Sequence, residues 1–108
     1  MVEGPRAPHA GDMVTLRIEH PVHDFDTWRT AFARFADVRR QAGVRGHVVR
    51  RPVDDVLQVS IDLGFAELEH AVAFEHFLRS NVWADPASSP ALRGTPVTTI
   101  LRDEDVEP

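Results

Sequence analysis

The 108-residue chain predicts an α+β fold: one antiparallel sheet with two amphipathic helices on one of its faces. Three observations carry that expectation. Residues 14–18 and 57–63 alternate apolar and polar side chains with the period of a strand. Two other stretches, from Phe25 and from about Ala66, repeat apolar residues every three or four positions, the period of a helix. Turn-forming residues separate these segments, so the order reads strand, helix, strand, strand, helix, strand.

Residues 1–12 hold Gly, Pro and polar residues without periodicity and read as a flexible N-terminal arm. The domain proper is expected over 13–102. In "MVTLRIEH" (13–20), Val14, Leu16 and Ile18 share one side, and Thr15, Arg17 and Glu19 the other. "PVHD" then turns the chain. Phe25, Trp28, Phe32, Phe35 and Val38 form one helical stripe. Asp24 is placed to cap this helix, and Asp26 lies where its N-terminus favours negative charge. Arg39 and Arg40 fall in its last turn, and Gly43 is a natural stop. A short β-rich run follows, "VRGHVVRRP", ended by Pro52. In "VLQVSIDLGF" (56–65), Leu57, Val59, Ile61 and Leu63 oppose Gln58, Ser60 and Asp62. The second helix is expected from about Ala66 to Asn81, with Ala71, Phe74 and Leu78 inward. "WADPASSPALRG" is a loop broken by Pro86 and Pro90. "TPVTTILRD" closes as a strand, and 103–108 is an acidic C-terminal tail. This order is the split βαβ, or ferredoxin-like, arrangement, in which the first and third strands are central.

Composition excludes several chemistries. Cysteine, lysine and tyrosine are absent, which removes thiol nucleophiles, thiolate metal sites, Schiff-base lysines and tyrosine acids. Net charge is −5, with 17 acids against 12 arginines. The tail holds four of those acids, so the body is nearly neutral and lacks the basic field that general nucleic-acid binding needs. The one local exception is Arg39 to Arg51, with five arginines and no acid, read as a solvated helix end and strand edge or as an anion or nucleic-acid patch. No apolar run reaches the roughly 18 residues of a membrane span, and the opening residues lack the apolar middle of a signal peptide. No membrane partner and a cytoplasmic location are the resulting expectations.

The uncovered face of the central strands carries Thr15, Arg17, Glu19, Gln58, Ser60 and Asp62. Arg17 and Asp62 sit close enough to pair, either as a half-solvated ion pair or as a substrate-orienting pair in a cleft. An RNA-binding sheet of the same strand order would present aromatic residues there for base stacking, and this one does not.

"IEHPVHDFDTW" (18–28) resembles the strand-end motif H-x-V-x-D-[FY]-x-x-W of small bacterial dimeric α+β barrel proteins, the antibiotic biosynthesis monooxygenase-like and cyclase-like group. His20, Val22, Asp24, Phe25 and Trp28 stand at its positions. "RRQAGVRGHVVRR" and "DDVLQVSIDLGFAELEHAVAF" resemble the later elements of the same proteins, and the likeness covers about residues 13–102. The resemblance implies a ferredoxin-like dimeric α+β barrel. It implies a homodimer whose sheets face each other, with a pocket between each sheet and its own helices or inside the joint barrel. It implies cofactor-independent oxygenation or cyclisation of an aromatic or polyketide-like molecule, or a non-catalytic ligand-binding or regulatory dimer.

Candidate site residues follow from both lines. His20, at the end of the first strand, is the candidate general base or the holder of the turn. His47 is its companion if its side chain faces the cavity, and otherwise an edge residue. Arg17 would steady an anion, with Ser60 and Asp62 beside it in substrate binding. Trp28 is core or pocket wall, and Trp83 closes the pocket or caps the core. His20 and His23 lack a third ligand at helical metal spacing, so no metal is expected, and no cofactor.

Overall fold

A computed structural model describes residues 13–107 of the chain; the arm expected over 1–12 and the last residue of the tail lie outside the described residues. Four strands, β1 (Val14–Pro21), β2 (Val44–Arg50), β3 (Gln58–Phe65) and β4 (Val97–Arg102), form one sheet in the order β2–β3–β1–β4. Every neighbouring pair is antiparallel. Helices α1 (Phe25–Arg34) and α2 (Ala36–Gln41) join β1 to β2. Helix α3 (Leu68–Phe77), extended by a π-helical turn over Leu78–Val82, joins β3 to β4. The order is ferredoxin-like, with β1 and β3 central.

The expected barrel is not formed, and that expectation is corrected to an open ferredoxin-like sheet. β2 and β4 are the sheet's two edges, and among the described residues they do not pair with each other. Closing a barrel requires every strand to be paired on both sides, at a tilt and stagger that four short strands do not supply.

Strand alternation places the core as the sequence predicts except at Leu57, which precedes β3 and is exposed. Val14, Leu16 and Ile18 of β1 and Val59, Ile61, Leu63 and Phe65 of β3 are buried under the helices. They meet across the strands as Leu16–Leu63 and Ile18–Ile61 pairs. Trp28, Ala31, Ala71 and Phe74 close over them from above. Each large apolar side chain buried this way contributes roughly 1.5–3 kcal/mol before entropy is counted.

Asp24 caps α1: its carboxylate accepts from the Thr27 amide at 2.8 Å, which satisfies one of the helix's orphan donors. The single helix expected from Phe25 to Gly43 is instead two, broken at Phe35 (φ −99°, ψ 16°). The local reason lies at the Phe32 carbonyl, which accepts from the Phe35 amide at 3.2 Å and from the Arg39 guanidinium at 2.6 Å. These donors take the place of the next turn's amide, so the helix re-aims without leaving a buried acceptor unmade. Gly43 ends α2 in the left-handed region at φ 97°, where a Cβ would also come 2.9 Å from the His70 ring. In β2 the register slips between Val44 and Gly46, a bulge. Beyond it His47 pairs with Leu63 and Val49 with Ile61, which puts both on the helix side. No helix among the described residues is long and apolar enough to cross a membrane.

Candidate functional site

The residues singled out from the sequence separate onto opposite sides of the sheet. Arg17, Ser60 and Asp62 lie on the open face; His20, Trp28 and Trp83 lie on the covered face. The parity of β1 dictates this, because His20 continues the series Val14, Leu16, Ile18.

On the open face Arg17 and Asp62 are opposite one another in register. The Arg17 guanidinium donates two hydrogen bonds of 2.9 Å, one to each Asp62 oxygen, the bidentate fork–carboxylate geometry. Arg50 adds a third donor at 3.2 Å. The Arg17 bond, ahead of burial, which works the other way, holds the Asp62 carboxyl below its ordinary value. The same bond raises Arg17. Asp62 is largely covered while Arg17 and Arg50 stay wet, at 16% against 42% and 60% side-chain exposure. Ser60 lies beside this cluster, opposite Glu19 and Arg50. Both Asp62 oxygens are engaged within the cluster, and the remaining donors of Arg17 and Arg50 face solvent.

On the covered face a cavity of about 90 Å³ lies between the sheet and the helices. Its floor is Ile18, Ile61 and Leu63, and its walls include Trp28, Phe32 and Phe74. The π-turn contributes Leu78 and Val82 and delivers Trp83 directly after it. The loop carrying Ser88, Ser89 and Ala91 shuts the far side. That loop is tied to the end of β1 by the His23 amide, which donates to Ala91 at 2.8 Å, and by a Val22–Leu92 bridge. Both serine hydroxyls are already bonded to Asp85. Trp28 is therefore core and cavity wall at once, and Trp83 is wall.

Two polar side chains enter this apolar space. His20 is 4% exposed. Its Nδ1 lies 3.1 Å from the Pro21 carbonyl; a carbonyl only accepts, so Nδ1 carries the proton and Nε2 presents a lone pair. Among the described residues Nε2 takes part in no hydrogen bond. Burial, opposed by the Pro21 bond, holds the imidazole below its ordinary value and therefore neutral at pH 7. The second is Arg39, 8% exposed, whose guanidinium stands 3.6 Å over the Phe32 ring. Burial lowers its pKa, and it remains a cation. An aromatic rail connects the two: the His20 ring is 6.4 Å from Trp28, Trp28 stacks on Phe32 at 4.8 Å, and Arg39 covers Phe32.

His47 does not line the covered cavity; it borders an open groove with Thr15 and Asp62. It is exposed on edge strand β2, with its ring edge-on to Phe32 at 5.2 Å. Arg39 is the cavity residue that the sequence reading left among the solvated helix-end charges. One signal pointed to it: Trp28, Phe32, Phe35 and Arg39 are spaced four, three and four residues apart, so the apolar stripe continues onto Arg39. Among the described residues no group of three or more His, Asp or Glu converges as a metal site.

No family model matches the chain, and no curated protein matches it. Solved structures do. SnoaB from Streptomyces nogalater, a cofactor-independent oxygenase, matches with a TM-score of 0.66 at 18% identity, over 90% of this chain and 98% of that one. A candidate antibiotic biosynthesis monooxygenase from Bordetella bronchiseptica matches at 0.65 with 9% identity, over 85% and 97%. A dimeric ferredoxin-like protein from an uncultured marine organism matches at 0.62 with 10% identity, over 83% and 94%. Likeness at these identities establishes the shared fold and transfers no residue roles.

Proposed function

We propose that the chain binds a small aromatic molecule in the covered cavity and acts there as a cofactor-independent monooxygenase or cyclase, with His20 as general base. One observation carries the proposal: a buried neutral histidine whose unprotonated Nε2 has no partner among the described residues, set in an apolar cavity walled by two tryptophans. The fold shared with a cofactor-independent oxygenase supports it.

Nε2 takes the proton of a phenol or carbon acid lodged against Trp28 and Trp83. Both oxygenation and cyclisation start from the anion so formed. With dioxygen as co-reactant, a phenol bearing a ring C–H balances as follows. One oxygen atom enters as a quinone carbonyl, and the other leaves as water with the phenolic and ring hydrogens. The apolar wall keeps bulk water from quenching the anion. A general base of this kind contributes about 10²–10⁴-fold to rate.

The open face is assigned to a second copy of the chain. Val48, Val97 and Leu101 are exposed around the Arg17–Asp62–Arg50 cluster. An apolar rim around a satisfied polar centre suits self-association, and the dimeric relative supports it. Light scattering should give twice the 12.1 kDa of one chain; a monomer mass contradicts it.

Dioxygen uptake with a panel of one-ring phenols tests the oxygenation, and product analysis tests the cyclisation. Uptake that collapses in folded His20→Asn supports the base. Binding without turnover favours the second reading, a ligand-binding dimer, in which His20 serves only to hold the turn through Pro21.

A further inference from the structure

We infer that Arg39 is the anion-binding residue of the covered cavity, and that its ligand is a one-ring aromatic acid or phenol held as the anion. This rests on the cavity being the ligand site, as proposed above. Arg39 is buried with a guanidinium of five donors, and the described residues use one of them, on the Phe32 carbonyl. No carboxylate among the described residues pairs with it, although buried cations are ordinarily paired. Its sequence neighbour gives the contrast. Arg40 lies in solvent and meets Asp37, whereas Arg39 lies at the cavity wall and, among the described residues, meets an aromatic face and a carbonyl.

The other titratable side chain of the lining, His20, is neutral. The cavity therefore carries one net positive charge before a ligand enters, and a single anionic oxygen balances it. Shape sets the rest. Trp28 and Phe32 stack on each other, Phe25 lies on Trp28 and Arg39 covers Phe32, so these rings offer a ligand their edges and the aliphatic floor completes the apolar lining. A cavity of about 90 Å³ is smaller than the roughly 150 Å³ of a dry cavity that holds benzene, so a single ring is the upper limit and enters only as a wall gives way. Arg39 holds the anionic end of the ligand, with the Trp28 and Phe32 rings between it and His20, and it fills on the covered face the role that the sequence assigned to Arg17.

The test compares benzoate with benzamide, its neutral planar counterpart, by calorimetric titration of the full chain. Wild-type protein should prefer benzoate by about tenfold or more, the scale of a charge-assisted hydrogen bond. Arg39→Met, which keeps the length and packing of the stem, should lose that preference while binding benzamide within about twofold. Equal binding of the two probes by wild type overturns the role of Arg39. So does a preference that survives in Arg39→Met, or a folded Arg39→Met that loses both probes alike. If Arg39→Met does not fold, the side-chain Nε resonance of Arg39 in wild type decides: a shift on benzoate saturation supports the inference, and an unmoved resonance refutes it. Benzamide binding without benzoate preference sinks Arg39 alone and leaves His20 as the base. Refusal of both probes by wild type takes the cavity proposal down as well.

Discussion

Ser60 and Ile61 are neighbours in the chain and belong to two different environments. On the open side of β1 and β3, Asp62 has both oxygens engaged by Arg17 and one shared with Arg50. On the covered side, His20 keeps a lone pair and Arg39 keeps N–H groups with no partner among the described residues. The open face looks more like a site because it is polar. We assign the ligand to the covered face because its few polar groups retain bonding capacity out of reach of water, whereas the spare donors of Arg17 and Arg50 are wet. Satisfied polarity is structural in the first instance; unsatisfied polarity in an apolar enclosure calls for a ligand.

The sharpest way to break this contrast is to disable one member on each side and measure turnover. His20→Asn should lower turnover about 10²–10⁴-fold, whereas Ser60→Ala should leave it within a small factor. The reverse ranking would move the chemistry to the open face. Stability should divide along the same line. Ile61→Ala, on the covered side, should cost about 2–5 kcal/mol. Ser60→Ala, one residue away, should stay within about 0.5 kcal/mol. Urea melts of the two variants make the comparison directly, and equal costs would mean that the two faces are not differently packed.

Proton linkage gives a smaller signal with a definite sign. The folded state holds His20 below its ordinary value, so the unfolded chain takes up this proton first. Stability from this group is undiminished above about pH 6.5 and falls as pH drops from there toward the lowered folded value. His20→Asn should remove that component of the slope, and urea melts across that window would show a retained slope if the assignment fails. Asp62 behaves as a depressed carboxylate: its contribution is present above about pH 3.9 and is lost as pH falls through the folded value. Asp62→Asn should cost no more than about 1 kcal/mol near neutrality, as partly wet ion pairs do, and should flatten the acid limb.

Much of this architecture was legible in the sequence. Alternation in 14–18 and 59–63 identified the central strands and their buried sides, though Leu57, read with them, is exposed in the turn before β3; the Phe25–Trp28–Phe32 stripe identified the inner face of the first helix. The open-face pair Arg17–Asp62 was legible because residues of equal parity on adjacent antiparallel strands meet. The facing of His47 was not, because the bulge between Val44 and Gly46 resets parity on β2. The break at Phe35 was equally hidden: no Gly or Pro marks it, and it depends on a long side chain returning to a carbonyl seven residues back. Barrel closure was expected from resemblance alone, and strand pairing within one chain does not provide it. The far wall at Ser88, Ser89 and Ala91 comes from a loop without periodicity, placed by its hydrogen bonds to the end of β1 and by the burial of Ala91 in the core.

Nitrogen-15 spectroscopy of the His20 imidazole, recorded with and without a bound phenol, probes the covered-face base most directly. We expect a neutral ring protonated on Nδ1, titrating below the usual histidine value, with Nε2 shifting when the phenol enters. A ring protonated on Nε2, or an Nε2 resonance indifferent to a phenol shown to bind elsewhere, would remove the base from the cavity and the cavity from the chemistry.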